Sequence, residues 1–110
     1  MAIHKKEAFG VKEQEFAALA KAMSHPPRIA ILIVLAGKNE CICGEIVEVL
    51  PLAQSTVSQH LKELKEAGLI QGETDGPRSC YCINWSKIES FQQEFNQLFS
   101  KLKESHSRCC

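Results

Sequence analysis

A polar helix followed at once by a hairpin pattern constrains the fold of this chain more than any other feature. Ser55 is a good helix N-cap, and apolar residues at helical spacing continue the pattern to Ala67. Gly68 then provides a C-terminal stop. We therefore predict a helix over residues 55–67 with an apolar inner face and a polar outer face.

The segment after this helix has the pattern of a β-hairpin. Residues 69–70 are apolar and begin a strand, while residues 71–78 are rich in glycine, aspartate and proline, which mark a turn. Residues 79–84 alternate as a returning strand. Its two predicted faces are Ser79, Tyr81 and Ile83, and Cys80, Cys82 and Asn84.

Three shorter helices are predicted before this unit, at residues 13–24, 28–36 and 44–50. Pro27 suits the first turn of the second helix, and Cys41-Ile42-Cys43 is a short extended stretch or a helix start. The order helix, turn, helix, hairpin is that of a helix-turn-helix with a β-wing. The fold class is thus mainly α with a small β-hairpin.

The last predicted helix, at residues 86–103, is amphipathic and carries three phenylalanines on its apolar stripe. A domain of 110 residues has little core left to cover such a stripe, so we expect this helix to pair with its copy in a homodimer. Packing onto the same subunit is the alternative. The stripe consists of Ile88, Phe91, Phe95, Leu98, Phe99 and Leu102.

These elements form one winged helix-turn-helix domain over residues 1–110. Its predicted parts are the first two helices at 13–36, the third helix and the recognition helix at 41–67, the wing at 69–84, the dimerisation helix at 86–103, and a cysteine-ended tail at 104–110.

Composition and charge exclude some functions and limit others. The formal net charge is zero, which argues mildly against nucleic-acid binding, although a local basic patch matters more than the total. The longest apolar run is far short of a membrane span, and no targeting segment is visible, so we expect a cytoplasmic protein without a membrane partner. No phosphate loop, paired acid and base, or nucleophile motif is present. We therefore expect no catalytic residues and no enzymatic activity.

The polar face of the predicted helix at 55–67 has the chemistry of a DNA-reading helix. Short hydroxyl and amide side chains at a helix N-terminus can meet phosphates and base edges, and the helix N-terminus itself attracts phosphate. Arg78, at the tip of the wing, is suited to a minor groove or a phosphate. An exposed polar helix without a partner is the alternative. The candidate residues are Ser55, Thr56, Ser58, Gln59, His60, Lys62 and Arg78.

Residues 20–83 resemble the ArsR/SmtB family of bacterial metalloregulatory repressors. The resemblance is carried by AKAMSHPPRIAILIVL, ECICGEIVEVL, STVSQHLKELKEAGLI and GPRSCYCI. It implies a winged-helix homodimer that binds double-stranded operator DNA and represses a resistance or efflux operon until metal binds. It also extends the recognition-helix region to Gln54.

The same resemblance assigns Cys41 and Cys43 to the thiolate site of the family, with trivalent arsenic or antimony as the expected inducer. Arsenite-responsive members have a third cysteine three positions later, where this chain has Ile46. Cadmium- and lead-responsive members use cysteines of an N-terminal arm, and no cysteine precedes Cys41 here. Cd(II) or Pb(II) is the alternative inducer. If the segment begins a helix, that turn must unwind before both sulfurs meet one ion.

The third thiolate has two possible sources. The six cysteines fall into three pairs, and in a reducing compartment such pairs suggest soft-metal binding or redox chemistry. In winged helices the strand before the third helix often pairs with the returning wing strand, which would bring Cys80 or Cys82 close to the first pair. The tail pair, Cys109 and Cys110, is the other candidate, and a cysteine-based redox switch on the same fold is the rival function.

Overall fold

The computed structural model describes residues 8–38, 42–43, 50–73 and 80–106. Residues 44–49 of the predicted helix at 44–50, the wing tip with Arg78, Cys41, and the tail pair Cys109 and Cys110 lie outside these residues. In chain order the described elements are α1 (Val11–Met23), α2 (Pro26–Ala36), β1 (Ile42–Cys43), α3 (Gln54–Glu66), β2 (Ile70–Glu73), β3 (Cys80–Ile83) and α4 (Trp85–Glu104).

A sharp corner separates α1 from α2. Ser24 ends α1, and its backbone N–H donates to the carbonyl of Lys21. His25 is the N-cap of α2, whose first two residues are Pro26 and Pro27. Proline has no N–H to lose in the first turn, so α2 begins two residues earlier than the predicted start at 28.

Helix α3 begins at Gln54 with Ala53 as its N-cap, so the prediction that Ser55 caps the helix is wrong. The helix ends as predicted, because Gly68 follows with φ of +84°, a left-handed conformation that favours glycine. Its inner face consists of Val57, Leu61 and Leu64, which are all buried.

The wing is part of a three-stranded antiparallel sheet in the order β1-β3-β2. Ile42 lies opposite Tyr81 and Cys43 lies opposite Cys80, which confirms the predicted pairing of the strand before the third helix with the returning wing strand. Along β3, Tyr81 and Ile83 are buried while Cys80 and Cys82 are half-buried, as the alternation predicts.

The backbone of β3 leaves no room for a side chain at Gly72 on β2, which has φ of +139°. A Cβ atom at this position would collide with the carbonyl oxygen of Cys80. Glycine is therefore required here both by its conformation and by the space available.

One core joins the helices to the sheet. Its most deeply buried side chains come from α2, from α3 and from the start of the wing. Asn84 connects the far end of α3 to α4, because its Nδ2 donates to the carbonyl of Gly68 at 2.9 Å while its Oδ1 accepts from the N–H of Lys87 at 3.4 Å. Among the described residues, the largest fully buried side chains are Ile31, Val57, Leu64, Leu69 and Ile70.

No single helix among the described residues has the length and hydropathy needed to cross a membrane. Helices α1 and α2 meet the length and hydropathy criteria only when they are taken together, and an 87° bend separates the two helices.

Candidate DNA-binding face and thiol site

The outer face of α3 is a continuous exposed polar surface. Ser55, Gln59 and Lys62 follow helical spacing on the side opposite the buried row of Val57 and Leu61. The buried row fixes the rotation of the helix, and so determines which polar residues face outward. The predicted DNA-binding residues that are exposed on α3 are Gln54, Ser55, Thr56, Ser58, Gln59 and Lys62.

The N-terminus of α3 is suited electrostatically to an anion. Its first turn contains no acidic residue, and no side chain in the described part of the chain caps it. The positive end of the helix dipole and the first N–H groups therefore face outward beside the hydroxyls of Ser55 and Thr56. This combination is the one that binds phosphate at helix N-termini.

His60 differs from the other predicted DNA-binding residues of α3 because it faces the body of the domain. Its Nδ1 accepts a hydrogen bond of 3.0 Å from Nε of Arg28, and its ring lies 5.8 Å from that of His25. Nη1 of the same arginine donates to the carbonyl of Ala22 at 3.1 Å. One guanidinium thus ties the end of α1 to the middle of α3.

The pKa of the His60 imidazole is lowered from its ordinary value. Burial is the largest cause, the positive charge of Arg28 and the neighbouring His25 lower it further, and Glu63 acts in the opposite direction. A neutral ring that accepts through Nδ1 carries its proton on Nε2. Sequence reasoning did not single out Arg28, although it is the only charged residue in the sequence of α2.

The thiol site lies at the junction of β1 and β3. Cys43 is registered directly opposite Cys80, which is disulfide-bonded in the structure. The thiol of Cys82 donates a weak hydrogen bond to the carbonyl of Gln71 on β2, with a sulfur-to-oxygen distance of 3.9 Å. The pairing thus brings one residue of the first Cys-x-Cys motif beside the second.

The structure leaves part of the predicted ligand set undescribed. Cys41, Cys109 and Cys110 lie outside the described residues, and so does Arg78 of the predicted DNA-binding set. Within residues 8–38, 42–43, 50–73 and 80–106, no group of three histidine, cysteine or acidic side chains is arranged to hold a metal ion.

The apolar face of α4 is covered in part. The Phe91 ring is buried, and its centroid lies 5.1 Å from that of the Phe16 ring on α1. The centroid of the Phe95 ring lies 5.6 Å from that of the same Phe16 ring. Beyond these contacts, Leu98, Phe99 and Leu102 are exposed. Packing within the subunit and an uncovered apolar surface therefore occur on the same helix.

Comparison with known proteins supports the same architecture. The family described as bacterial regulatory protein, arsR family, matches residues 25–71. The chain is similar to the HTH-type transcriptional regulator YgaV of Escherichia coli (strain K12), with 41% identity covering 64% of this chain and 71% of that protein.

Two further similarities extend over most of the chain. The arsenical resistance operon repressor of Bacillus subtilis (strain 168) is 32% identical over 96% of both chains. The ArsR-like transcriptional regulator from Rhodococcus sp. RHA1 shares the fold with a TM-score of 0.69, at 18% identity over 84% of this chain and 87% of that chain.

The helix order, the paired wing and the exposed polar face of α3 agree with these similarities. The chain therefore belongs to the ArsR/SmtB family and is a DNA-binding transcriptional repressor with a winged helix-turn-helix fold, not an enzyme.

Proposed function

We propose that this repressor binds its operator as a homodimer and leaves it when trivalent arsenic or antimony binds the thiolates of Cys41 and Cys43 with a third cysteine. The observation that carries the proposal is the pairing of β1 with β3, which aligns Cys43 with the second Cys-x-Cys motif. The name of the Bacillus subtilis relative, an arsenical resistance operon repressor, supports the choice of inducer.

Cys43 lies in the strand Ile42–Cys43, so the proposed site does not require a helical turn to unwind at Cys43. Residues two apart on a helix point to different sides, so a helical Cys-x-Cys would have to unwind before both sulfurs met one ion. Residues two apart on a strand share one face. Ion binding at Cys43 therefore avoids the energetic cost of breaking helical hydrogen bonds at that residue.

Ion binding at this position would act on the DNA-binding unit through the sheet. β1 pairs with β3, and β3 pairs with β2, which follows α3 directly. An ion that draws the two strands into a new arrangement changes the position of the wing relative to α3. A difference of about 1–3 kcal/mol between the two DNA-binding states is sufficient for regulation.

The proposed DNA contacts are those of the outer face of α3 and the wing. In a symmetric dimer, two such helices enter successive major grooves about 34 Å apart and read a palindrome. Ser58 and Gln59 are exposed and suited to base edges. Lys62 and Arg78 would meet phosphates, and the N-terminus of α3 would add a phosphate contact.

The proposed dimer seam is the uncovered part of α4. Phe99 and Leu102 are about half exposed, and a stable small domain rarely leaves such a surface in water. An apolar groove between α1 and α4 continues this surface and would accommodate side chains of a second copy. Its lining includes Ala20, Met23, Ile88, Phe91 and Phe95.

Operator release by arsenite tests the proposal directly. The measurement is fluorescence anisotropy of a labelled DNA fragment from upstream of the repressor's own gene, with reduced full-length protein at fixed salt. We expect arsenite to weaken DNA binding by about 5- to 150-fold. The double variant Cys41→Ser/Cys43→Ser should bind DNA as the wild type does and ignore arsenite.

Two results would change the proposal in different ways. Normal release of DNA by arsenite from the Cys41→Ser/Cys43→Ser variant would show that these cysteines are not the site. A wild type that ignores arsenite and antimonite but responds to Cd(II) or Pb(II) would keep the thiolate site and replace the inducer.

A redox switch is the second candidate, and the disulfide at Cys80 favours it. Hydrogen peroxide would take two electrons from a thiol pair. One S–S bond forms, the O–O bond breaks, and its two oxygens leave as two water molecules that carry the two thiol protons and the two hydrogens of the peroxide. Peroxide should then release the operator without arsenite, and a phosphine reductant should restore binding. Unchanged DNA affinity in the oxidised protein would exclude this mechanism.

A further inference from the structure

We infer that Arg28 is a positioning residue for operator recognition, which holds the ring of His60 so that Nε2–H of this ring is presented to an acceptor on the DNA. The inference rests on the proposed function, because it adds a contact to the DNA-binding face of α3. His60 lies at the edge of that face, one turn after both the exposed Thr56 and the buried Val57.

The bond between Arg28 and His60 determines which nitrogen of the ring carries the hydrogen. A guanidinium is always protonated, and its Nε donates to Nδ1 of His60 at 3.0 Å. Burial and the charge of Arg28 lower the pKa of His60, so the ring is neutral above the ordinary value of 6.5. A neutral ring that accepts at Nδ1 is a donor at Nε2, which is the nitrogen that does not face Arg28.

Nε2 of His60 is accessible from outside the domain. In the part of the chain that the structure describes, every buried side-chain nitrogen or oxygen has a hydrogen-bond partner. Nε2 of the half-buried His60 has no partner among these residues, so it is not one of the buried atoms. A donor at this edge of α3 lies where a helix in the major groove meets base edges and phosphates.

Arg28 is itself held in place, so it can fix the orientation of the ring. Its backbone N–H donates to the carbonyl of His25 at 2.9 Å in the first turn of α2. Its Nη1 donates at 3.1 Å to the carbonyl of Ala22, near the end of α1, where helix carbonyls lack partners within the helix. Two bonds from different nitrogens of one planar group fix its plane. The corner between α1 and α2 thus orients a side chain of α3.

Two other roles for Arg28 predict different results. A guanidinium that binds a DNA phosphate directly would act without His60, and its loss would reduce the salt slope of binding by about one unit. A guanidinium that only ties α1 to α3 would change the free energy of unfolding and leave the operator affinity of the folded protein unchanged. Only positioning through the ring makes the effect of Arg28 on operator affinity depend on His60.

A double-mutant cycle tests the inference. Operator affinity is measured by fluorescence anisotropy for the full-length wild type, Arg28→Met, His60→Ala and the double variant, at a pH above the ordinary histidine pKa. Methionine keeps a long apolar stem and removes every donor of the guanidinium. Chemical denaturation confirms that each variant is folded. Lys21→Ala is the control, since it removes an exposed positive charge from the last turn of α1.

We expect Arg28→Met and His60→Ala each to reduce operator affinity by about tenfold. The double variant should lose no more than either single variant, and Lys21→Ala should stay within about twofold of the wild type. An equal loss on operator and unrelated DNA would support the positioning role and assign the acceptor to a phosphate. A loss on operator alone would support it and assign the acceptor to a base edge.

Nitrogen NMR of the imidazole rings provides a test in the wild type that needs no variant. The free protein should show the ring hydrogen of His60 on Nε2, and addition of operator should shift this nitrogen more than those of His106, which lies beyond α4. In Arg28→Met the pKa of His60 should rise, because a positive charge that lowers it has been removed.

An unchanged Nε2 resonance on operator binding would overturn the inference. So would a loss in Arg28→Met that is the same with and without His60, or an equal loss in Lys21→Ala. Ser58→Ala/Gln59→Ala separates these failures from failure of the proposed DNA contacts. If that variant loses operator affinity while the cycle shows no coupling, only the inference fails. If that variant binds operator as the wild type does, the proposed reading face of α3 is wrong.

Discussion

Helices α3 and α4 are both amphipathic, yet their apolar faces have different environments. The row Val57, Leu61 and Leu64 on α3 is at most 2% exposed. On α4, whose residues are all described, Phe91 is the one buried side chain, and the apolar residues from Phe95 onward are 37–58% exposed. The same periodicity thus describes a helix whose apolar face is covered by its own chain and a helix whose apolar face is left partly exposed. Periodicity identifies an apolar face but not the molecule that covers it.

The largest expected effect comes from removing a buried side chain from the apolar face of α3. Leu64 is fully buried, so Leu64→Ala should lower the free energy of unfolding by about 2–5 kcal/mol through lost burial and an unfilled cavity. Chemical denaturation measures this loss. Leu102→Ala on the exposed end of α4 is the matched control.

The comparison also predicts how each variant responds to protein concentration. The loss of unfolding free energy in Leu64→Ala should be similar in monomer and dimer. Any such loss in Leu102→Ala should appear only at protein concentrations at which the dimer forms. Equal losses in both variants at low concentration would show that α4 is covered within its own subunit.

The next effect comes from charging the uncovered face. Phe95→Glu should weaken the dimer by about 30-fold, or about 2 kcal/mol, because a carboxylate replaces an apolar anchor at the seam. Analytical ultracentrifugation measures the dissociation constant. Since Phe95 also contacts Phe16 in its own subunit, the more exposed Leu102→Glu should show the same direction of change.

Gln93→Glu adds the same charge to the opposite, exposed face of α4 and should leave the dimer intact. A wild type that sediments as a monomer at micromolar concentration would refute the proposed seam.

A smaller effect, on operator affinity, is expected from substitutions on the polar face of α3. Ser58→Ala/Gln59→Ala should reduce specific operator affinity by about tenfold, because both side chains are exposed and neither contributes to the buried row. Glu66→Ala, at the far end of the same helix, should not reduce it. Anisotropy with operator and unrelated DNA separates specific from nonspecific binding, and equal losses on both DNAs would contradict base reading.

The smallest effect is the pH dependence that His60 confers on stability. Its pKa in the folded state is below the ordinary value of 6.5, so the unfolded chain binds a proton more readily. The stabilising contribution is therefore present above about pH 6.5 and is lost as the pH falls toward the folded pKa. Arg28, His25 and Glu63 are the charged or titratable groups around it.

Chemical denaturation between about pH 7.5 and pH 5.5 should show a steeper loss of stability in the wild type than in His60→Gln. His106→Gln, at the exposed end of the chain beyond α4, is the control and should keep the wild-type slope. Identical slopes in wild type and His60→Gln would mean that the imidazole has no such role.

The architecture could be predicted from the sequence because it depends on patterns among residues that are close in the chain. The apolar row of α3, the stop at Gly68 and the alternation of β3 each involve neighbours in the chain, and all appear in the structure. The pairing of β1 with β3 was predicted from the winged-helix topology and is confirmed.

Contacts between distant side chains could not be predicted in this way. The bond from Arg28 to His60 joins residues 32 apart, and no periodicity encodes it. It also explains why one of the predicted DNA-reading side chains is turned toward α2. The start of α3 was misjudged because a serine near a helix N-terminus resembles an N-cap even where the helix has already begun.

The alternation along β3 has a consequence for how a repressor of this kind diversifies. Residues 81 and 83 are constrained by the core, whereas residues 80 and 82 project from the other face of the same strand. Substitutions at the outward positions disturb the packing of the core less than substitutions at 81 and 83 would. The outer face of this short strand can therefore change its chemistry one residue at a time, without compensating changes in the interior.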